Sequence, residues 1–203
     1  MPWSEKRVLI VASGPSAAGV AKLPRPSCAV IAVKGAIEGL PWEPDYWFSL
    51  DLAPRGYGLF QKWRDRVRCI LAVDADAGPV ARQPSQRADF TGAFLVERRR
   101  GAGVSRDANA IHHGNSAYGA MQIALHMGAR RIAAAGVDGT QEGYWHGNGQ
   151  PGNIKSLPKM FEGAAQQIRD RHCELRFADT PGSQMTGFKR MPLDELVAWV
   201  TEP

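Results

Sequence analysis

The chain contains two short turns whose residue types suit the binding of a phosphate or a ribose. The first is Ser13-Gly14-Pro15-Ser16, and the second is Gly114-Asn115-Ser116. Glycine permits close approach of the backbone to a ligand, and the exposed amides and the Ser16 hydroxyl can hydrogen-bond a phosphate or ribose oxygen. The first turn matches neither a dinucleotide-binding glycine loop nor a Walker loop with its lysine. Each turn also has a structural alternative, a simple β-turn for the first and an ordinary helix N-cap for the second.

Polar residues also follow the other apolar runs, at the points where strands would end. They are Lys34 after the run at 28–33, Asp51 after 46–50, Asp74 and Asp76 after 68–73, and Asp138 with Gly139 and Thr140 after 131–137. In an open α/β sheet the ligand lies outside the carboxyl ends of the strands, so these residues and the two turns form the candidate set for a binding site. The amides at the start of the helix that follows Gly114 add a second position for an anion.

Apolar runs that alternate with helical segments must position these residues. Continuous apolar and β-branched runs are typical of strands buried on both faces of a parallel sheet. The predicted strands are 7–12, 28–33, 46–50, 68–73, 93–96, 131–137 and 173–177, and the predicted helices are 115 or 116 to 127, 157–169 and 193–200. This alternation predicts an open, mainly parallel α/β sheet flanked by helices, which is a Rossmann-like fold, in a single domain over residues 1–203.

Composition restricts the class of protein. The formal net charge of +5 favours an anionic partner such as a nucleotide, a sugar phosphate or nucleic acid. Cys28, Cys69 and Cys173 lack the paired spacing of a disulfide framework or a zinc site, so they are predicted to be buried small hydrophobes. The longest apolar stretch is far shorter than the roughly 20 residues that span a bilayer, and the first residues lack a signal-peptide pattern. A cytoplasmic location without a membrane span is therefore expected.

Three segments carry a resemblance to known families. They are VLIVASGPS at 8–16, GNSAYGAMQIALHMGARRI at 114–132 and GVD at 136–138. In this order they resemble the bacterial sialyltransferases that modify lipooligosaccharide, the archaeal-type hydroxymethylpterin diphosphokinase-like proteins and, most of all, a group of tailed-phage proteins of unassigned role. The segment TPGSQMTGF at 180–188, with Pro192-Leu193 after it, resembles the ending of that phage group. The resemblance implies a phage or prophage protein that acts in the host cytoplasm.

The resemblance also implies a nucleotide site. In the sialyltransferases the Gly-Pro-Ser turn and the turn before the main helix hold the cytidine nucleotide of the donor sugar. Carried over by motif, Gly14, Ser16, Asn115 and Ser116 would contact the nucleotide, and Asp138 would end the strand beside it. With the neighbouring turn and strand-end residues, the candidate nucleotide-binding set is Ser13, Gly14, Pro15, Ser16, Lys34, Asp51, Gly114, Asn115, Ser116 and Asp138.

A histidine on a mobile segment is the general base in the sialyltransferases. His146, within GYWHGNG at 143–149, is the candidate base here, because a neutral histidine can take a hydroxyl proton near physiological pH and the flanking glycines would let it move. Tyr144 could offer its hydroxyl to a leaving phosphate. The structural alternatives are an exposed loop histidine and an aromatic side chain that packs the loop.

The chain departs from these relatives at two positions, and several functions stay open. Ser13 and Lys34 stand where relatives commonly have asparagine, so either the nucleotide differs from cytidine or Lys34 points to solvent. The leading hypothesis is a glycosyltransferase-like enzyme that uses a nucleotide-sugar donor, requires no cofactor and modifies a glycan or DNA. One alternative is a Mg²⁺-dependent phosphoryl or diphosphoryl transferase that uses Asp51, Asp74 or Asp138. Another is an inactive nucleotide- or DNA-binding phage protein. The donor, the acceptor and the oligomeric state stay open.

Overall fold

The computed structural model describes residues 4–50, 54–74, 90–112, 114–147 and 154–203. Nine strands within these ranges form one parallel sheet, which confirms the predicted Rossmann-like α/β fold. The strands are β1 Arg7–Val11, β2 Ala29–Val33, β3 Tyr46–Ser49, β4 Arg68–Asp74, β5 Phe94–Arg99, β6 Ala110–His112, β7 Arg131–Ala135, β8 Glu174–Ala178 and β9 Lys189–Met191. Their spatial order is β6-β5-β4-β3-β2-β1-β7-β8-β9, and every neighbouring pair is parallel.

The order of the strands reverses at β1. The chain adds β2 to β6 on one side of β1 and then returns to place β7 on its other side. Val8 on β1 pairs with Ala29 on β2 and with Ile132 on β7. Such a reversal leaves a crevice outside the carboxyl ends of the strands, because the connections that follow β1 and β7 run apart on opposite faces of the sheet. The fold therefore places a crevice directly beyond Val11 and Ala135.

Helices cover both faces of the sheet. They are α1 Pro54–Trp63, α2 Ser116–His126, α3 Leu157–Asp170 and α4 Leu193–Thr201. Alternate residues of β1 point to opposite faces, so Val8 and Ile10 belong to the core beneath α2 and α3, whereas Leu9 and Val11 belong to the core beneath α4. Because both faces of β1 are buried, its sequence is a continuous apolar run.

The structure adds elements that the sequence pattern did not indicate. The edge strands β6 and β9 have only three residues each, and Lys189 and Arg190 of β9 are exposed. Short, charged edge strands prevent pairing between molecules, and they lack the apolar run that reveals a central strand. The helix α1 includes Gly58 and begins at a proline, so its composition also resembled a loop. Within the described residues, no helix has the length and apolar character needed to cross a membrane.

Candidate functional site

A cavity of about 300 Å³ lies at the carboxyl ends of β1, β2 and β7, where the strand order reverses. Its wall includes both turns singled out in the sequence, because Ser13 and Gly14 line it from one side and residues 114–116 from the other. Of the other candidates, Lys34, Asp138 and Tyr144 also line the cavity. The structure therefore brings most of the candidate binding residues to one place.

The turn after β1 is hydrogen-bonded to the segment after β7. The Gly14 nitrogen donates to the Gly136 carbonyl at 2.9 Å, and the Gly136 nitrogen donates to Ser16 Oγ at 2.8 Å. The Ser16 nitrogen donates to Asp138 Oδ2 at 3.0 Å, and the Ser16 side chain also hydrogen-bonds this carboxylate. The nitrogen and the side chain of Ser16 thus hold the Asp138 carboxylate, and two further hydrogen bonds fix the turn after β1 to Gly136.

Pro15 and Ser16 do not line the cavity, although the sequence pattern assigned both to nucleotide contact. Pro15 has no N–H and begins a short 3₁₀ turn, Pro15–Ala17. The amide and the hydroxyl of Ser16 are both used within the protein. In this structure Ser16 hydrogen-bonds Asp138, which lines the cavity, and does not line the cavity itself.

Glycine is required where the two segments meet. A Cβ atom on Gly14 would lie 2.3 Å from Asp138 Oδ2 and 2.8 Å from the Gly136 carbonyl oxygen. Gly136 has φ +75°, and a Cβ atom there would lie 2.3 Å from the Ala12 carbonyl oxygen. No larger residue fits this junction without moving backbone atoms, so both glycines serve the close approach of β1 and β7.

Asp138 is buried, with 2% of its surface exposed, and lines the cavity. Its Oδ1 atom has no hydrogen-bond partner among the described residues, and the same holds for Oγ1 of Thr140 on the same wall. Burial raises the pKa of the Asp138 carboxyl above its usual value, and the carboxylates of Glu142 and Asp179 add to this, against the hydrogen bonds from Ser16. A buried carboxylate with one oxygen that has no partner among the described residues therefore belongs to a residue of the cavity wall.

Two cationic side chains, Lys34 and Arg98, line the cavity together with the anionic Glu142. Lys34 has φ +50°, a left-handed conformation that is uncommon for a residue other than glycine, and its carbonyl accepts a hydrogen bond from Trp47 Nε1 at 2.8 Å. Arg98 was not a candidate from the sequence, where it belongs to the charged run Glu97-Arg98-Arg99-Arg100. The pattern could not show that β5 directs Arg98 toward this cavity, because sheet order is a property of the whole chain.

The start of α2 forms another part of the wall. Asn115 caps the helix, since its side-chain oxygen accepts from the Ala117 nitrogen at 2.7 Å. The N-cap interpretation therefore holds for Asn115. Ser116 is buried and lines the cavity. The positive end of the α2 dipole and the first amides of α2 lie at the cavity, an arrangement that favours an anion.

The segment that carries the candidate base is docked on the end of β1. His146 Nε2 lies 2.9 Å from Ser13 Oγ, and Trp145 donates from its backbone nitrogen to the Ser13 carbonyl and from Nε1 to the Ala12 carbonyl. The Tyr144 and His146 rings stack with their centroids 5.6 Å apart. Tyr144 lines the cavity, whereas His146 reaches it through the Ser13 hydroxyl. His146 is thus a partly buried neighbour of the cavity and not an exposed loop residue.

The residues that suggested a metal ion are only partly described. Asp51 lies outside the described residues, and Asp74 ends β4. Across the ranges that the structure describes, no three His, Cys, Asp or Glu side chains are grouped as ligands of a metal ion would be. The three cysteines are buried and unpaired, as predicted. Magnesium binding stays a hypothesis about Asp51, Asp74 and Asp138.

Comparisons of the chain with protein-family models, curated proteins and solved structures gave no match. What is known of the site therefore comes from its geometry. It combines two cationic side chains, a helix N-terminus, a buried carboxylate and a Ser–His pair around one cavity. Chemically, this arrangement can hold an anionic group, accept a hydrogen bond from a bound ligand and receive a proton.

Proposed function

We propose that this protein binds a nucleotide or nucleotide sugar in the cavity and transfers the sugar to an acceptor hydroxyl, as a glycosyltransferase-like enzyme. The observation that supports this most is the meeting of the turns at 13–14 and 114–116 on one cavity at the point where the strand order reverses. Ligands of open α/β sheets bind at this point. The motif resemblance to the sialyltransferases agrees with a nucleotide-sugar donor.

The phosphate of the donor would bind between the start of α2 and the side chain of Lys34. Helix N-termini bind phosphate through their amides and their dipole, and a lysine adds a full positive charge. Arg98 contributes a second positive charge to the same wall. These groups would neutralise the leaving phosphate without a metal ion.

In the transfer step the acceptor oxygen attacks the anomeric carbon of the sugar as the bond from that carbon to the phosphate oxygen breaks. The nucleotide leaves with the electron pair of that bond, and the Tyr144 hydroxyl can donate a hydrogen bond to it. The proton of the acceptor hydroxyl passes to His146, by way of the Ser13 hydroxyl 2.9 Å from Nε2. A glycan or a modified base in DNA would supply the acceptor hydroxyl.

A Mg²⁺-dependent phosphoryl or diphosphoryl transferase is the second candidate, and the buried Asp138 carboxylate favours it. An oxygen without a partner on the cavity wall can serve as a ligand of a hard cation. The two candidates differ in their response to a chelator. Turnover that is abolished by EDTA and restored by Mg²⁺ would favour phosphoryl transfer, whereas turnover that EDTA leaves unchanged would favour the sugar transferase.

Titration with nucleotides tests the binding site. Nucleoside monophosphates, nucleoside diphosphates and nucleotide sugars are added to the wild-type chain, and affinity is followed by calorimetry and by the thermal unfolding midpoint. We expect binding that Lys34→Gln weakens by ~10-fold or more, because a direct charge–phosphate contact is lost. Lys189→Gln, the same substitution on the exposed edge strand β9, is the matched control and should bind as the wild type does. The site is refuted if no nucleotide binds or if the two variants behave alike.

A further inference from the structure

Two buried polar atoms on the cavity wall lack a hydrogen-bond partner among the described residues, and they lie two residues apart in the chain. They are Asp138 Oδ1 and Thr140 Oγ1. A buried polar atom without a partner destabilises a protein, so such atoms are rare unless another molecule supplies the missing bond. Both residues line the cavity, so a ligand bound there can supply the missing bond.

Contacts with the turn after β1 hold the Asp138 carboxylate in one position. Its other oxygen, Oδ2, accepts from the Ser16 nitrogen at 3.0 Å. Gly14 packs so closely against this carboxylate that a single Cβ atom would collide with it. The carboxylate that carries Oδ1 is therefore held in place before any ligand arrives.

Two other buried polar atoms can be compared with this pair. Trp63 Nε1 and the Tyr118 hydroxyl also lack a hydrogen-bond partner among the described residues, but neither residue lines the cavity. The pair at Asp138 and Thr140 differs from them because it shares one wall with Lys34 and with the start of α2.

We propose that Asp138 Oδ1 accepts a hydrogen bond from an O–H or N–H group of the ligand, with Thr140 Oγ1 as the adjoining contact. The site then selects phosphate-bearing ligands that also carry a hydrogen-bond donor, either a ribose hydroxyl or an amino group of the base. This inference rests on the proposed nucleotide site and specifies what that site recognises. A ligand without the donor would leave the Asp138 oxygen unpaired in the complex.

Nucleotide analogues that each lack one donor test the inference. Affinities are measured for the nucleotide that binds best and for its 2′-deoxy, 3′-deoxy and amino-lacking forms, for example uridine in place of cytidine or inosine in place of adenosine. We expect one of these analogues to bind the wild-type chain at least ~10-fold more weakly, which is the usual cost of an unpaired buried acceptor. The deoxy forms report a ribose hydroxyl, and the amino-lacking forms report the base.

Two variants test whether Asp138 and Thr140 cause the difference in affinity between the nucleotide and its analogue, and a third variant is the control. In Asp138→Asn the amide oxygen can keep the bond from Ser16 while an NH₂ group replaces Oδ1, so an acceptor becomes a donor. We expect this variant to discriminate less than about 3-fold between the parent nucleotide and the analogue, far below the tenfold expected when the acceptor is intact. Thr140→Val replaces the hydroxyl with a methyl group and leaves the charge unchanged. We expect this variant to discriminate less than the wild type between the parent nucleotide and the analogue. Tyr118→Phe removes a buried hydroxyl that lies away from the cavity and should leave the discrimination at the wild-type value.

The outcomes separate this inference from the proposed function. If nucleotides bind in a Lys34-dependent manner but every analogue binds equally well, the nucleotide site stands and the inference is refuted. It is also refuted if Asp138→Asn discriminates as the wild type does. If no nucleotide binds, both proposals fail. Should Asp138→Asn not fold, the wild-type analogue series and Thr140→Val still decide the question.

Discussion

The Ser16 nitrogen donates to Asp138 Oδ2 across 122 positions of sequence, at 3.0 Å. This bond joins the turn after β1 to the segment after β7 exactly where those neighbouring strands end, and Gly14 and Gly136 allow the approach. The carboxylate at the cavity wall consequently depends on Ser16, which does not line the cavity, and on Gly14 and Gly136, which do. Substitutions at this junction should therefore change both the stability of the fold and the function of the site.

Gly14→Ala should destabilise the protein by about 1–3 kcal/mol, because the added Cβ atom would force Asp138 and the Gly136 backbone apart. Gly163→Ala is the matched control, since Gly163 lies in α3 with nothing near its added Cβ atom. It should stabilise the protein by up to about 1 kcal/mol through helix propensity. Urea denaturation of both variants measures the two effects. A Gly14→Ala variant as stable as the wild type would show that the junction can relax.

The central strands were predictable from sequence, and the chemistry of the first turn was not. Strands such as β1 and β7 are buried on both faces, so their apolar runs reveal them, whereas the three-residue edge strand β9 has no such pattern. The sequence also predicted that Ser16 faces a ligand. Its partner Asp138 is distant in sequence, and only the pairing of β1 with β7 brings the two together.

Arg98 and Thr140 are two further residues whose place in the site could not be predicted from the neighbouring sequence. Arg98 belongs to a charged run that is typical of a solvated loop, but β5 carries it to the cavity wall. Thr140 follows a strand end and so belonged to the broad candidate set. Its importance comes from burial without a partner, which is a property of packing and not of spacing.

Ser13→Ala should lower kcat by about 10-fold or more while changing KM for the donor little, because the Ser13 hydroxyl connects His146 to the cavity. His146→Gln should lower kcat by roughly 10²-fold or more through loss of the base. Turnover of the nucleotide sugar found by titration provides the assay. His172→Asn, at an exposed histidine after α3, is the control and should keep wild-type kcat. Equal kcat for the wild type, Ser13→Ala and His146→Gln would refute the proton route.

The relative stability of Asp138→Asn should depend on pH. Burial raises the pKa of the Asp138 carboxyl in the folded state above its value of 3.8 in the unfolded chain, and the nearby Glu142 and Asp179 carboxylates act in the same direction. As pH rises above 4, the unfolded chain loses this proton before the folded protein does, so the wild type loses stability until pH passes the folded-state pKa. The asparagine variant has no such loss.

We therefore expect the free energy of unfolding of Asp138→Asn, relative to the wild type, to shift in favour of the variant between pH 4 and pH 7. Denaturant unfolding without ligand, at matched ionic strength, measures this difference at each pH. Titrations of groups that do not interact with Asp138 cancel, because both proteins share them. A difference that is constant with pH, or that shifts toward the wild type, contradicts a raised pKa at Asp138.

His126, at the end of α2, should make the fold sensitive to acid. Burial lowers the pKa of His126 from 6.5 to about 4, and the positive charge of Arg171 adds to this, while Nε2 donates to the Ala110 carbonyl at 3.0 Å. The neutral ring contributes its full stability above pH 6.5. As pH falls from there toward 4, the unfolded chain binds a proton that the folded protein does not, and up to about 3 kcal/mol is lost.

His126→Gln should remove this sensitivity, because a glutamine amide can still donate to the Ala110 carbonyl and does not titrate. Free energies of unfolding at pH 7.5 and pH 4.5 are compared for the wild type and the variant. On acidification the wild type should lose roughly 2–3 kcal/mol more than the variant does. If both proteins lose the same stability, the imidazole is protonated in the folded state at pH 4.5, and its burial in the core beneath α2 does not hold it neutral.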